Sequence, residues 1–112
     1  MPIASGSSGN ADVAIAVAGT AVQLIAVSTP AMGFMVFAYE DNVQPIVLGI
    51  GSGTKFARGF YFRKFRPGDW QEFQASDFNT LSWVDISDFW INNDAVTGHA
   101  GDGVAVVKLG HE

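Results

Sequence analysis

One short loop of this chain carries the side-chain types from which metal and proton-transfer sites are built. His99 lies between Asp94 and Asp102, so an imidazole and two carboxylates could meet in a single loop. The spacing fits no known metal-binding loop, however, and an ordinary polar turn explains the same residues. We therefore predict no metal site and no cofactor.

A glycine pattern, Gly49-x-Gly51-x-Gly53, follows an apolar run and could cradle a phosphate group. The residues after it, Thr54 to Phe65, show no helical periodicity. The spacing also departs from the dinucleotide-binding and P-loop patterns. We interpret these glycines as turn residues.

Imidazole catalysis and sugar stacking are the remaining chemistries that the residue types permit. Only His99 and the near-terminal His111 could act as imidazole bases, and the chain has no cysteine nucleophile. We predict that the protein is not an enzyme. Trp70, Trp83 and Trp90 could form a platform that stacks on sugar rings, although we expect Trp90 in the core and Trp70 at a turn. Sugar binding therefore remains an alternative function.

Length and composition limit the class of protein. A chain of 112 residues is long enough for one hydrophobic core and one domain. Only 15% of its residues are charged, and a poorly charged surface usually contacts partners. The net charge of −5 argues against the basic face that nucleic-acid binding needs. We therefore predict no nucleic-acid partner.

The first third of the chain is apolar without having the pattern of a membrane segment. Asp12, Thr20 and Gln23 interrupt the stretch Ala11–Val27, which alternates as strands do. No Lys or Arg precedes Lys55, so the basic region of a secretion signal is lacking. We expect a soluble intracellular product with no membrane partner.

Short apolar runs separated by turn residues dominate the chain after its first segment. Residues 1–11 are mostly Ser, Gly and Ala, which predicts a flexible N-terminal arm. Residues 12–112 contain about eight strand-like runs and no sustained helical periodicity. This pattern predicts an all-β domain, a single antiparallel β-sandwich or jelly roll. The run Met32–Glu40 is apolar on both faces, which predicts a central strand between two layers.

Three local patterns refine this assignment. The tetrapeptide Arg66–Asp69 places Pro and Gly at the centre of a predicted type II turn. The segment Ser76–Ser82 could form one helical turn capped by Ser76. Two late strands, Asp88–Asn92 and Val104–Leu109, are separated by a glycine-broken loop and predict a closing β-hairpin.

Positive charge is concentrated in one stretch, and no acid lies between Asp41 and Asp69. Five of the six basic residues are in this basic stripe: Lys55, Arg58, Arg63, Lys64 and Arg66. A basic stripe on an acidic body suits docking against a second copy or another acidic protein. The alternative is an edge strand that its charges protect from aggregation.

Several motifs between Ala11 and Leu109 occur in a definite order. They are Gly19–Leu24, the turn Asp41-Asn42 leading to Ile46–Gly49, Pro67–Asp69, Asp85–Ile91 and Gly101–Val104. Their order resembles that of small structural proteins of tailed bacteriophages. Such proteins are small β-sandwiches that decorate or cement the capsid, or form head fibres and tail components, often as trimers.

The resemblance implies a capsid decoration or cement protein that binds the major capsid protein as a homo-oligomer, with a trimer favoured. Its location would be the capsid surface of the virion, after synthesis in the host cytoplasm. We expect residues 1–18 to lie along a neighbouring subunit and the basic stripe to set the register. The predicted partner-binding residues are Ile3, Val13, Ile15, Lys55, Arg58, Arg63, Lys64 and Arg66. The alternatives are a carbohydrate- or receptor-binding module of a head fibre or tail, and a tail or connector component.

Overall fold

A computed structural model of the chain describes residues 10–54, 60–79, 82–93 and 98–110. Within these ranges the backbone forms ten strands and two short 3₁₀ turns, Ala75–Phe78 and Ile86–Asp88. The strands are β1 (Ala11–Ala14), β2 (Val22–Gln23), β3 (Pro30–Ala31), β4 (Gly33–Ala38), β5 (Ile46–Ile50), β6 (Arg63–Phe65), β7 (Trp70–Gln74), β8 (Val84–Asp85), β9 (Phe89–Asn93) and β10 (Gly103–Leu109). The prediction of an all-β fold is confirmed.

Eight of the described strands form two four-stranded antiparallel sheets that pack as a sandwich. Sheet I has the order β1-β10-β4-β7, and sheet II has the order β2-β9-β5-β6. The remaining strands, β3 and β8, pair with each other as a separate ribbon. The antiparallel sandwich predicted from the strand spacing is therefore confirmed.

The strand pairs are nested in the manner of a single long hairpin. β5 pairs with β6, β4 with β7, β3 with β8, β2 with β9 and β1 with β10. The chain thus runs out through its first five strands and returns alongside itself in the next five. Two further pairs, β4–β10 and β5–β9, complete the two sheets.

The last two strands do not form the predicted closing hairpin. β9 lies in sheet II between β2 and β5, whereas β10 lies in sheet I between β1 and β4. The hairpin prediction is therefore wrong. Its physical reason is that each strand finds two partners in the first half of the chain, which satisfies both of its edges. If β9 and β10 paired only with each other, the N–H and C=O groups on the outer edge of each strand would still need a partner.

The core lies between the two sheets and is rich in aromatic rings. Phe34 of β4 is fully buried, with its ring centroid 5.2 Å from that of Phe73 and 4.8 Å from that of Phe89. One open edge of the sandwich, where β6 lies opposite β7, is bridged by Arg63. Its guanidinium hydrogen bonds to Gln71 and thereby joins the two sheets.

β4 is an interior strand of sheet I, as its apolar sequence predicts. Its inward residues Phe34 and Val36 are fully buried, while its outward residues Met35 and Phe37 are half-buried. The expected second layer over the outward side is not formed by the described elements, because the β3–β8 ribbon packs into the core instead. This part of the prediction is corrected.

Two local predictions have different outcomes. The type II turn is confirmed, because the Asp69 N–H donates to the Arg66 carbonyl at 2.9 Å and Gly68 has a φ of +86°. The helical turn exists, but its N-cap is Gln74 rather than Ser76. The Gln74 N–H donates to the Asp77 carboxylate at 2.7 Å, which fixes the cap two residues before the predicted one.

Candidate interaction surfaces

The outward side chains of sheet I are largely apolar, whereas a sheet face that meets water is normally polar. Strand register aligns Ala105 with Phe37 and Trp70, and Val107 with Met35. Together with Leu109, the last residue of β10, these side chains form what we term the outer face. Its members are Met35, Phe37, Trp70, Ala105, Val107 and Leu109.

Trp70 is the most exposed member of the outer face. Its side chain is 57% exposed, and its ring stacks on Phe37 with a centroid distance of 6.0 Å. The other members are half-buried by one another. The outer face is therefore an ordered apolar surface in which one large ring projects outward.

Carboxylates flank the outer face on both sides. Asp12 of β1 is the cross-strand neighbour of Ala105, and Glu72 of β7 is the neighbour of Met35. The Tyr39 hydroxyl donates to Asp12, and burial followed by the Asp12 charge raises the pKa of Tyr39. The rim of the outer face is therefore negative, which suits a partner that is apolar and positively charged.

The described part of the basic stripe lies along the exposed edge of sheet II. Lys64 of β6 and Arg66 of the following turn are exposed. Arg63 is half-buried, because its guanidinium packs 4.5 Å from the centre of the Phe65 ring. Lys55 and Arg58 lie outside the described residues. The structure thus brings Lys64 and Arg66 together on one strand edge.

Two exposed aromatic rings extend this edge. Phe60 is 58% exposed and Phe62 is 42% exposed. Phe62 also packs edge-on against Phe73, with ring centroids 5.7 Å apart, so its position is fixed by the core. We term Phe60, Phe62, Lys64 and Arg66 together the aromatic-basic edge. Both docking and protection of the edge strand remain compatible with its charges.

Val13 and Ile15 belong to the core rather than to a partner surface. Their exposures are 7% and 0%, and Val13 pairs with Val104 in sheet I. The Ile15 N–H donates to the Asp102 carbonyl at 2.8 Å. The prediction that these two residues bind a partner is corrected, because the alternation of apolar and small residues forms the inward side of β1.

The predicted N-terminal arm lies almost entirely outside the described residues. This applies to Ile3, which we predicted to bind a partner. Ala11, the last residue assigned to the arm, is the first residue of β1. The preceding Asn10 accepts a hydrogen bond from the Lys108 N–H at 3.1 Å through its side-chain oxygen.

The His99 loop is held by a buried carboxylate. Asp102 is 2% exposed and accepts hydrogen bonds from the backbone N–H groups of Val43 at 2.8 Å and Gln44 at 2.9 Å. His99 Nδ1 lies 3.1 Å from the same carboxylate. Among the described residues, no hydroxyl hydrogen bonds to His99, and Asp94 lies outside them. Asp102 therefore ties this loop to the turn between β4 and β5.

A second side chain reinforces the same junction. The Asn42 amide donates to the Gly103 carbonyl at 2.9 Å, and the Gly103 N–H donates to the Asn42 side-chain oxygen at 2.8 Å. This reciprocal pair holds the turn after β4 against the start of β10. In the described ranges, no group of three His, Asp or Glu side chains could hold a metal ion.

The glycine pattern serves packing and turn formation. A Cβ on Gly49 would lie 2.5 Å from Thr54 Oγ1, so the loop after β5 packs closely over that strand. Gly51 has a φ of +87°, and its carbonyl accepts the Thr54 hydroxyl at 3.0 Å. Both observations agree with the interpretation of these glycines as structural residues.

The tryptophans are distributed over different surfaces. Trp70 opens β7 directly after the type II turn, as expected. The core prediction for Trp90 is wrong, because Trp90 is half-buried on the outward side of sheet II, beside Gly49 and Gln23. Trp83 is 47% exposed. Trp70 is therefore the tryptophan that belongs to a larger apolar surface.

Sequence reasoning missed the outer face as a surface, although its signal was present. The strand β4 was recognised as apolar on both sides, and β10 has the same property in Ala105, Val107 and Leu109. Two adjacent strands of this kind indicate a face that is either covered by the chain or available to a partner.

No helix in the described part of the chain is long and apolar enough to cross a membrane. A scan against protein-family models and searches of curated proteins and solved structures found no match to this chain.

Proposed function

We propose that this chain is a bacteriophage virion structural protein, a capsid decoration or cement protein that binds and stabilises the lattice of the major capsid protein. The observation that carries this proposal is the apolar outer face of sheet I. A small domain gains nothing in water from such a face, so its natural setting is an assembly. The protein would be made in the host cytoplasm and would act on the capsid surface.

The nested strand order supports the proposal at the level of the fold. We infer that the sandwich is a jelly roll, since that fold also pairs early strands with late ones in two four-stranded sheets. Jelly rolls occur in viral capsid domains and in lectins. This is an analogy of fold. The ordered motifs that resemble phage structural proteins support the same proposal.

The buried polar side chains support a role without catalysis. Asp102 and Asn42 bind backbone groups of neighbouring loops. Asn92 donates to the carbonyls of Thr54 at 2.9 Å and Gly19 at 3.2 Å. Groups committed in this way fix loops and are not free to transfer protons to a substrate. We propose that the protein is not an enzyme.

The test is imaging of purified particles of the phage that encodes the chain. We expect density for a protein of 11.9 kDa at symmetry-related sites on the capsid. Particles made without the protein should lose their DNA at a lower temperature, because bridging contacts repeated over the lattice are absent. Absence of the protein from purified particles would overturn the proposal.

A carbohydrate- or receptor-binding module of a head fibre or tail is the second candidate, and exposed Trp70 favours it. A sugar ring that stacks on this indole should change the tryptophan emission. The change should disappear in Trp70→Phe and persist in Trp83→Phe, which serves as the matched control. A glycan-dependent change with this pattern would favour the receptor-binding module over the cement protein. Localisation of the density to the tail would indicate a tail or connector component.

A further inference from the structure

The outer face and the aromatic-basic edge are complementary to each other. The outer face has an apolar centre between Asp12 and Glu72, and the edge carries exposed Phe60 together with Lys64 and Arg66. We propose that the outer face of one copy binds the aromatic-basic edge of a second copy, so that copies of this chain associate head to tail. This contact does not depend on the chain being a virion protein.

The apolar part of the contact is a match between aromatic rings. Trp70 projects from the outer face with 57% of its side chain exposed, while Phe60 is 58% and Phe62 is 42% exposed on the edge. The rings of Trp70 and Phe62 are both held in place, by stacking on Phe37 and by packing on Phe73. Large rings that are already ordered lose little entropy on binding.

Charge selects the edge of a second copy over its outer face. Two outer faces in contact would bring Asp12 and Glu72 against the same carboxylates, in chains that already carry a net charge of −5. The segment from Phe60 to Arg66 contains no acid and three basic residues. Docking the edge on the outer face therefore pairs opposite charges at the rim of an apolar contact.

The position of the two surfaces determines what kind of assembly results. β6 and β7 are neighbouring edges of the two sheets, joined by the contact between Arg63 and Gln71. The aromatic-basic edge thus borders the side of sheet I and does not lie opposite its outer face. A head-to-tail contact between adjacent sides turns the direction from each copy to the next, so the copies form a closed ring if the rotation closes and a helical filament if it does not.

The test uses sedimentation velocity of the purified full chain over a range of concentrations and salt. We expect the wild type to associate reversibly, and association to weaken as salt rises. Glu72→Lys on the outer face and Arg66→Glu on the edge should each weaken association about tenfold. Asp88→Lys makes the same charge change as Glu72→Lys at an exposed residue that belongs to neither surface. It should associate as the wild type does.

Mixing the two variants provides the decisive measurement. An equimolar mixture of Glu72→Lys and Arg66→Glu pairs each changed surface with an opposite charge, so it should associate more strongly than either variant alone. Thermal unfolding of each variant establishes that its fold is intact. A wild type that stays monomeric up to its solubility limit would overturn the proposal. Unchanged association of Arg66→Glu, or a mixture that stays dissociated, would do the same.

These outcomes are separable from those for the proposed function. A chain that associates as described but is absent from particles retains this inference and loses the virion role. A chain that decorates capsids with its outer face against the lattice, but remains monomeric in solution, retains the virion role and loses this inference.

Discussion

Asp85 joins two distant chain segments where the strands pass from one sheet to the other. Its carboxylate accepts hydrogen bonds from the Thr29 N–H at 2.7 Å, the Ser87 N–H at 3.0 Å and the hydroxyl of Ser28. Burial by itself would raise the pKa of Asp85. The hydrogen bonds from Ser28, Thr29 and Ser87 outweigh burial and lower this pKa from 3.8 to about 2.

Asp85→Asn should lower stability and flatten its dependence on pH. Because the folded-state pKa lies below the unfolded value, the carboxylate stabilises the fold above pH about 4, and this is lost as the pH falls towards about 2. We expect a loss of about 1 to 2 kcal/mol at neutral pH, after allowance for partial solvent exposure. Urea unfolding at neutral and acidic pH measures both effects.

Asp88→Asn is the matched control, since Asp88 lies in the 3₁₀ turn that Asp85 caps and is exposed. It should leave the stability at neutral pH close to that of the wild type. An Asp85→Asn variant whose stability falls with acid as steeply as that of the wild type would contradict the assigned role.

At the level of residues, the sequence predicts which side chains are polar better than it predicts their hydrogen-bond partners. The polar character of the His99 loop was foreseeable, and so was the proximity of His99 to Asp102. The partners of Asp102 were not, because Val43 and Gln44 lie 59 and 58 residues away in the chain. A spacing pattern reports neighbours within a turn, whereas these contacts depend on the pairing of whole strands.

Close approach of the backbone at Gly103 sets the position of β1 on sheet I. A Cβ built on Gly103 would lie 2.1 Å from the Val13 carbonyl oxygen and 2.8 Å from the Ala14 Cα. Real side chains do not tolerate such distances, so any other residue at this position must displace β1. Gly53 has nothing within 4 Å of an added Cβ.

Gly103→Ala should therefore destabilise the domain and loosen β1 selectively. We expect a loss of about 2 to 3 kcal/mol, because β1 must shift and uncover part of the core. Hydrogen exchange should speed up at the Ile15 amide, which donates to Asp102. Gly53→Ala should change stability by no more than about 0.5 kcal/mol. Equal effects of the two substitutions would contradict the role of Gly103.

At the level of elements, strand existence was predictable and strand pairing was not. The apolar runs that became β4, β5, β9 and β10 were recognised, and the turn at Pro67–Gly68 was placed correctly. The hairpin between β9 and β10 failed because a glycine loop between two strands does not specify whether they share a sheet. Strands such as β3 and β8 are two residues long, and local pattern cannot identify them.

At the level of the molecule, the all-β sandwich follows from regular turn signals and the absence of helical periodicity. Which residues form the surfaces of the sandwich is harder to predict from the sequence. Of the basic stripe, Lys64 and Arg66 lie together on one edge. The sequence assigned Val13 and Ile15 to a partner, although they fill the core. The outer face became visible only when the register placed Phe37 and Trp70 side by side.

Deleting residues 1–9 tests whether the N-terminal arm binds a neighbouring subunit. We expect lower occupancy on capsids without a lower melting temperature, because β1 and Asn10 are retained. Occupancy is measured by co-sedimentation with particles that lack the protein, and melting by circular dichroism. Unchanged occupancy would remove the arm from the mechanism.

The nested pairing of strands also governs how this protein can be made. On the ribosome, β1 to β4 emerge before any of their nested partners, and β1 must wait for β10 at the far end of the chain. Because β5 and β6 are the paired strands with the shortest connection, we expect folding to begin there and proceed outwards, with the apolar strand β4 exposed during early synthesis. A chain that terminates before β10 would leave β1 and β4 without their shared partner, and chaperones rather than native contacts would have to keep it soluble.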